Sequence, residues 1–179
     1  LFDDMIYADG EDVALSSILQ PRVEAEMALV LKRDLNHERN TVVDVLNAID
    51  YVLPAIEIVG SRVRNWDIRL VDTVADNASC GAVVVGSRPV KVDAVDFKQC
   101  GMVLAHKGEV VSSGTGALCL GNPLIAAVWL ANTMVKMGTP LQAGELVLTG
   151  ALGAMVSVNE VGVYEANIQG LGSVSVAFV

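Results

Sequence analysis

The run Arg22-Val23-Glu24-Ala25-Glu26-Met27-Ala28-Leu29 alternates apolar and acidic side chains, and that alternation restricts the local backbone more than any other stretch of the chain. Val23, Ala25, Met27 and Leu29 fall on one face of a β-strand and Glu24 and Glu26 on the other, because successive strand side chains point to opposite sides. Positions i and i+2 of a strand stand about 7 Å apart on the same side, so two carboxylates there can converge on one ion. On a helix they would diverge. Two anions so close repel each other, and their opposite face is apolar, so the arrangement is costly unless a cation lies between them.

A third acid would complete a set. Glu57 is a lone carboxylate inside the apolar, strand-like run Pro54-Ala55-Ile56-Glu57-Ile58-Val59, where an unpaired charge is expensive. A metal ion is one partner that would offset it, and an ion pair with Arg62 or Arg22 is another. For Glu24 and Glu26 the ordinary alternative is a solvated strand face. Three carboxylates without histidine suit a hard ion such as Mg2+ or Mn2+, with waters or substrate at the remaining octahedral positions, and disfavour zinc.

Around these acids the chain reads as α+β and strand-dominated, a single domain over 1–179. Strands are expected at 23–31, 54–59, 82–85, 101–105, 109–111, 145–149, 155–158, 163–168 and 173–178, with His106-Lys107-Gly108 as a hairpin turn. Two helices stand out. In 41–48, Val42, Val45, Leu46 and Ile49 recur at helical spacing behind Asn40 or Thr41 as N-cap. In 124–137, Asn122 caps, Pro123 suits the first helical position, and Gly138 with Pro140 ends the helix.

Other constellations carry weaker signals. His37 lies in a polar loop and His106 in the expected turn, so both read as surface residues and neither suggests nucleophilic catalysis. Gly114-Thr115-Gly116 and Gly150-Ala151-Leu152-Gly153 match no phosphate loop. Leu148-Thr149-Gly150 ends a strand at a flexible glycine, so the Thr149 hydroxyl and nearby amides could meet a carboxylate or oxyanion. The polar stretch from Asp72 to Gly81 reads as loop-like, either several turns or a polar pocket.

Composition removes several classes of function. A net charge of −9, with no run of Lys or Arg, excludes nucleic acid as an expected partner. The longest apolar stretch, 124–135, is broken by Asn132 and Thr133 and is too short for a membrane span. Cys80, Cys100 and Cys119 lack CxxC spacing and read as small, buried free thiols in a reducing cytoplasm, and no signal peptide is expected. With 53% apolar and only 18% charged residues, the chain is expected to cover part of its surface with copies of itself as a homo-oligomer.

Five ordered motifs together carry a resemblance. They are Pro21-Arg22-Val23-Glu24-Ala25-Glu26, the run ending Glu57-Ile58-Val59-Gly60-Ser61-Arg62, Asp76-Asn77-Ala78-Ser79-Cys80-Gly81, Leu148-Thr149-Gly150-Ala151-Leu152-Gly153 and Gly170-Leu171-Gly172-Ser173-Val174. Through essentially its whole length the chain resembles the hydratase/decarboxylase branch of the fumarylacetoacetate hydrolase superfamily. That resemblance implies twisted, mixed sheets forming a roll or barrel with a few short helices. It implies Glu24, Glu26 and Glu57 as catalytic metal ligands, and substrate contacts from Ser79, Thr149 and Gly150.

Within the branch, the motifs imply water addition to 2-hydroxypenta-2,4-dienoate in the meta-cleavage degradation of aromatic compounds. Decarboxylation of 4-oxalocrotonate, or service as a non-catalytic partner subunit, are the alternatives. Partners implied are the small dienoate substrate, further copies of the chain and a paralogous decarboxylase. The resemblance also leads to the expectation that a native N-terminal segment, carrying a lysine and an aspartate for proton transfer, lies outside this sequence.

Overall fold

The structure, a computed structural model, describes residues 3–179. Its frame is two sheets packed face to face. The first runs β1 (Ile6–Ala8), β5 (Cys80–Val85), β4 (Ile49–Val59), β3 (Arg22–Leu31) and β8 (Leu146–Leu148), with β9 (Val156–Ser157) also on β3. The second runs β2 (Asp12–Val13), β11 (Gly172–Phe178), β10 (Gly162–Ile168), β6 (Gly101–His106) and β7 (Glu109–Thr115). Both sheets have free edges, so the expected roll is an open pair of mixed sheets and not a closed barrel.

The main core fills the space between the sheets. Val23, Ala25, Met27, Leu29, Ile56 and Ile58 meet Leu104, Ala166, Ile168, Val174, Val176 and Phe178 there. A second, smaller cluster of Ala28, Leu53, Ala55 and Val83 covers the far face of the first sheet. Because strand side chains alternate, Glu24, Glu26 and Glu57 share that far face and stand outside the main core.

The helices follow their sequence signals. In α1 (Val42–Ala48) the Thr41 hydroxyl accepts from the Asp44 amide while the Asp44 carboxylate accepts from the Thr41 amide at 2.8 Å. Such a reciprocal cap stabilises a helix start by about 1 kcal/mol. In α3 (Pro123–Lys136) the Asn122 side chain accepts from the Leu124 amide at 3.0 Å, and Pro123, Leu124, Ala127 and Ala131 face the core. The segment Gly116–Lys136 has the length and hydropathy of a membrane span. Its regular helix covers only the 14 residues of α3, however. At 1.5 Å per residue they rise about 21 Å, short of the roughly 30 Å of a hydrocarbon core.

Three expectations need correction. The strand expected from Pro54 begins at Ile49, running through the proline. Proline lacks a ladder donor, yet here the Pro54 carbonyl accepts from Gly86 at 2.8 Å on the side where β5 has ended, so the missing N–H costs no rung. The loop-like stretch after residue 70 contains a helix, α2 (Leu70–Ala75), started by Asp72 accepting from the Arg69 amide at 2.8 Å. Its apolar residues Leu70, Val71 and Val74 are exposed, which is why no buried-face periodicity announces it. His106 is not a surface residue: its side chain is 11% exposed and stacks on Tyr164 at 4.2 Å, although the turn after it forms as expected. The edge strands β1 and β2 were too short to show a period.

Candidate metal centre

Register assembles the acids. In the antiparallel β3–β4 pair, Glu24 lies directly opposite Glu57 and Glu26 opposite Ala55. Ala55 is small, which leaves room for the three carboxylates to gather, each offering an oxygen within 4.8 Å of the others. Glu26 is 2% exposed, and Glu24 and Glu57 are half-buried. Neither arginine considered for Glu57 is free for it: Arg62 pairs with Asp76, and the Arg22 guanidinium lies over the Trp66 ring at 4.3 Å.

The three carboxyls act on one another through their charges and their shared burial. Burial first, and the Glu57 charge second, push the Glu24 carboxyl up from 4.5 to about 7. Glu26 is raised well above the ordinary range, by burial first and then by Glu57, against the pull of the Gly150 amide. The cysteines nearby feel the same field. Burial and then Glu57 push the Cys80 thiol up to about 12, and burial and then Glu26 push Cys119 up to about 11.

The strand end carrying Thr149 and Gly150 closes over this cluster. The Thr149 and Leu152 amides donate to the Met27 and Ala25 carbonyls, at 3.1 and 2.9 Å, so two backbone bonds bracket Glu26 on β3. Between them the Gly150 amide donates to Glu26 Oε2 at 2.8 Å. Gly150 sits at φ +106°, a conformation in which a side chain would be strained. The Thr149 hydroxyl is buried and has no hydrogen-bond partner. An orphaned buried hydroxyl costs free energy unless a ligand meets it.

Ser79 stands on the other flank as the last residue of the strained turn Asn77-Ala78-Ser79, in which all three residues have φ between 53° and 64°. Its hydroxyl lies 2.9 Å from that of Thr73. Such residues cost of order 1–3 kcal/mol each and gather at functional sites. The turn borders a cavity of about 460 Å3 lined by Ile18, Leu19, Ser61, Arg62, Ser79 and Cys80, among others. Cys80 links this cavity to Glu57, whose charge acts on its thiol. The polar Asp72–Gly81 stretch is therefore both turns and pocket wall.

The donor set fits a hard divalent cation. Three carboxylate oxygens converge, the cluster is largely shielded from water, and no basic side chain compensates it among the described residues. A cation there would also offset the mutual repulsion that adds to burial in raising Glu24 and Glu26. Sequence reasoning placed the acids and the Thr149-Gly150 corner but missed Cys119 and Cys80 as neighbours. Neither thiol carries a local pattern that could have pointed to it.

Residues 2–179 match the family model described as Fumarylacetoacetate (FAA) hydrolase C-terminal. The chain belongs to the fumarylacetoacetate hydrolase family. It is 58% identical, over 99% of its length and 68% of the relative's, to the 2-keto-4-pentenoate hydratase of Burkholderia vietnamiensis. It is 40% identical, over 99% of its length and 68% of the relative's, to the 2-hydroxyhexa-2,4-dienoate hydratase of Comamonas testosteroni. Among solved structures, 4-oxalocrotonate decarboxylase from Pseudomonas putida G7, complexed with magnesium and adipate, superposes with a TM-score of 0.92 at 37% identity. That alignment covers 99% of this chain and 67% of the decarboxylase. The family chain thus spans about two-thirds of the length of these relatives, and its sheets and helices match the family architecture.

Proposed function

We propose that this chain forms the metal-holding catalytic portion of a hydratase that adds water to 2-hydroxypenta-2,4-dienoate, giving 4-hydroxy-2-oxopentanoate in the meta-cleavage degradation of aromatic compounds. The observation that carries the reading is the convergence of Glu24, Glu26 and Glu57 in a family member 58% identical to a 2-keto-4-pentenoate hydratase. These three residues would hold a divalent cation, Mg2+ or Mn2+ by their oxygen-only donor set. Such a cation supplies a Lewis acid for the carboxylate and 2-oxo group of the substrate.

The chain's own groups do the rest of the positioning. The unpartnered Thr149 hydroxyl is available to donate to a substrate oxygen, and Ser79, beside the cavity, supplies a second hydroxyl. The Gly150 amide keeps Glu26 turned toward its two partners. Ala28, Leu53, Ala55 and Val83 form a dry apolar floor around the acids, which strengthens each electrostatic interaction made there.

Decarboxylation of 4-oxalocrotonate is the second reading, favoured by the TM-score of 0.92 with that decarboxylase. The chain is 58% identical to the 2-keto-4-pentenoate hydratase, against 37% for the decarboxylase. Hydration is therefore the better fit. The protein is expected to act as a homo-oligomer, with a paralogous decarboxylase as a candidate partner.

The test offers 2-hydroxypenta-2,4-dienoate and 4-oxalocrotonate to the purified protein with Mg2+ or Mn2+, following dienoate loss and CO2 release. Metal-dependent water addition without CO2 release supports the proposal. Faster CO2 release from the diacid would replace it with the second reading.

A further inference from the structure

One buried thiol stands behind the metal-ligand set. The Cys119 Sγ donates to the Thr149 carbonyl at 2.9 Å. That carbonyl belongs to the same peptide unit as the Gly150 N–H, which donates to Glu26 Oε2 at 2.8 Å. In a planar trans peptide the C=O and N–H point in opposite directions, so holding one end aims the other.

The peptide needs holding. Gly150 lies at φ +106° and, lacking a Cβ, tolerates either sign of φ. The plane ahead of it can therefore turn over at low steric cost, and a reversed plane would present a carbonyl oxygen to the Glu26 carboxylate. We infer that Cys119 is a positioning residue for the metal site, its thiol fixing the Thr149–Gly150 peptide so that the amide and not the carbonyl faces Glu26. With Oε2 committed to that amide, the rotation of the carboxylate is set, and so is the direction of its second oxygen. Cys119 is 6% exposed, and a Cβ on Gly150 would lie 3.1 Å from its sulfur, so the contact is close. The inference rests on the reading of Glu24, Glu26 and Glu57 as cation ligands.

The test measures Mn2+ binding to metal-free protein by the electron paramagnetic resonance of the free ion, with Mg2+ in competition. Wild type, Cys119→Ala, Cys119→Ser and Glu57→Gln are compared. Hydrogen exchange of the Gly150 amide is followed in parallel. Cys119→Ala should weaken binding by about tenfold or more, within the 10–100-fold range for removing outer partners of metal ligands. The same variant should speed Gly150 exchange. Cys119→Ser, which restores a donor, should recover most of both, whereas a merely space-filling role would not distinguish the two variants.

Wild-type affinity and exchange in Cys119→Ala would overturn the inference, as would equal losses in Cys119→Ala and Cys119→Ser. If wild type itself binds no Mn2+, or Glu57→Gln binds as well as wild type, the metal reading fails and the inference falls with it. If Cys119→Ala does not fold, Cys119→Val takes its place as the variant without a donor: weaker Mn2+ binding with faster Gly150 exchange than Cys119→Ser supports the inference, and wild-type values of both overturn it.

Discussion

Glu57→Gln should make the metal-free protein more stable while removing its response to the cation. Each pair among the three carboxylates has oxygens within 4.8 Å of each other. At that separation and an effective dielectric constant of about 20, two unit charges repel by about 3.5 kcal/mol. Glu57 takes part in two such pairs, but proton uptake limits what the protein bears in a chelator. With Glu24 raised to about 7, holding a proton on it at pH 8 costs about 1.4 kcal/mol. The net gain expected from the variant is therefore about 1–2 kcal/mol at pH 8. At 2–4 °C per kcal/mol for a chain of this size, that is a rise of roughly 2–8 °C in Tm.

The assay is thermal unfolding in a chelator and in Mg2+, at pH 8 and at pH 5.5. In chelator the advantage of Glu57→Gln should shrink at pH 5.5, where wild type protonates Glu24 and relieves its own repulsion. In Mg2+ at one hundred times its Kd, wild type should gain about 2.7 kcal/mol by mass action and the variant much less. A variant that melts below wild type in chelator at pH 8, or gains as much from Mg2+, would refute the account of Glu57 as a ligand in a repelling cluster.

The pH dependence of the metal-free protein has a definite sign. Glu24 in the fold has a pKa of about 7 against an ordinary 4.5. The folded state thus keeps a proton that the unfolded state loses, and this contribution to stability, whole below pH 4.5, disappears as pH rises through about 7. Urea titrations across that window should show it, and a flat profile would count against it. Cation affinity runs the other way: binding expels protons from Glu24 and Glu26, so Kd should fall by at least about tenfold per pH unit as pH rises toward 7, as calorimetry in two buffers can measure. Thr149→Val keeps the shape and deletes an unpartnered hydroxyl. It should leave Tm unchanged or raised yet lower kcat/KM by tenfold or more, and unchanged kinetics would remove Thr149 from the substrate contacts. Ala78→Gly relieves a residue at φ 55° and should stabilise the protein by about 0.5–1 kcal/mol in urea unfolding, whereas a loss would mean the turn is not strained.

Much of the frame was legible because it is written at short range. Alternation along Val23 to Leu29 announced β3 and the shared side of Glu24 and Glu26, and the capping residues of α1 and α3 announced both helices. Signals failed where a segment's partners are distant. The apolar side of α2 has no buried surface to match, Pro54 hid half of β4, and His106 looked exposed until Tyr164 stacked on it.

What the sequence by itself determined is the set of groups: three acids in strand-like runs, two of them on one face, and a threonine-glycine strand end. Tertiary structure decided which of them meet. Register set Glu57 opposite Glu24, and a contact spanning 124 positions brought the Gly150 amide to Glu26. The thiol of Cys119 reached that same peptide from another part of the chain. Periodicity reports only which way a side chain points relative to its neighbours. Which distant carboxylates are forced together, and what holds them there, depends on how strands pair and loops close, and that is settled by packing the whole core at once.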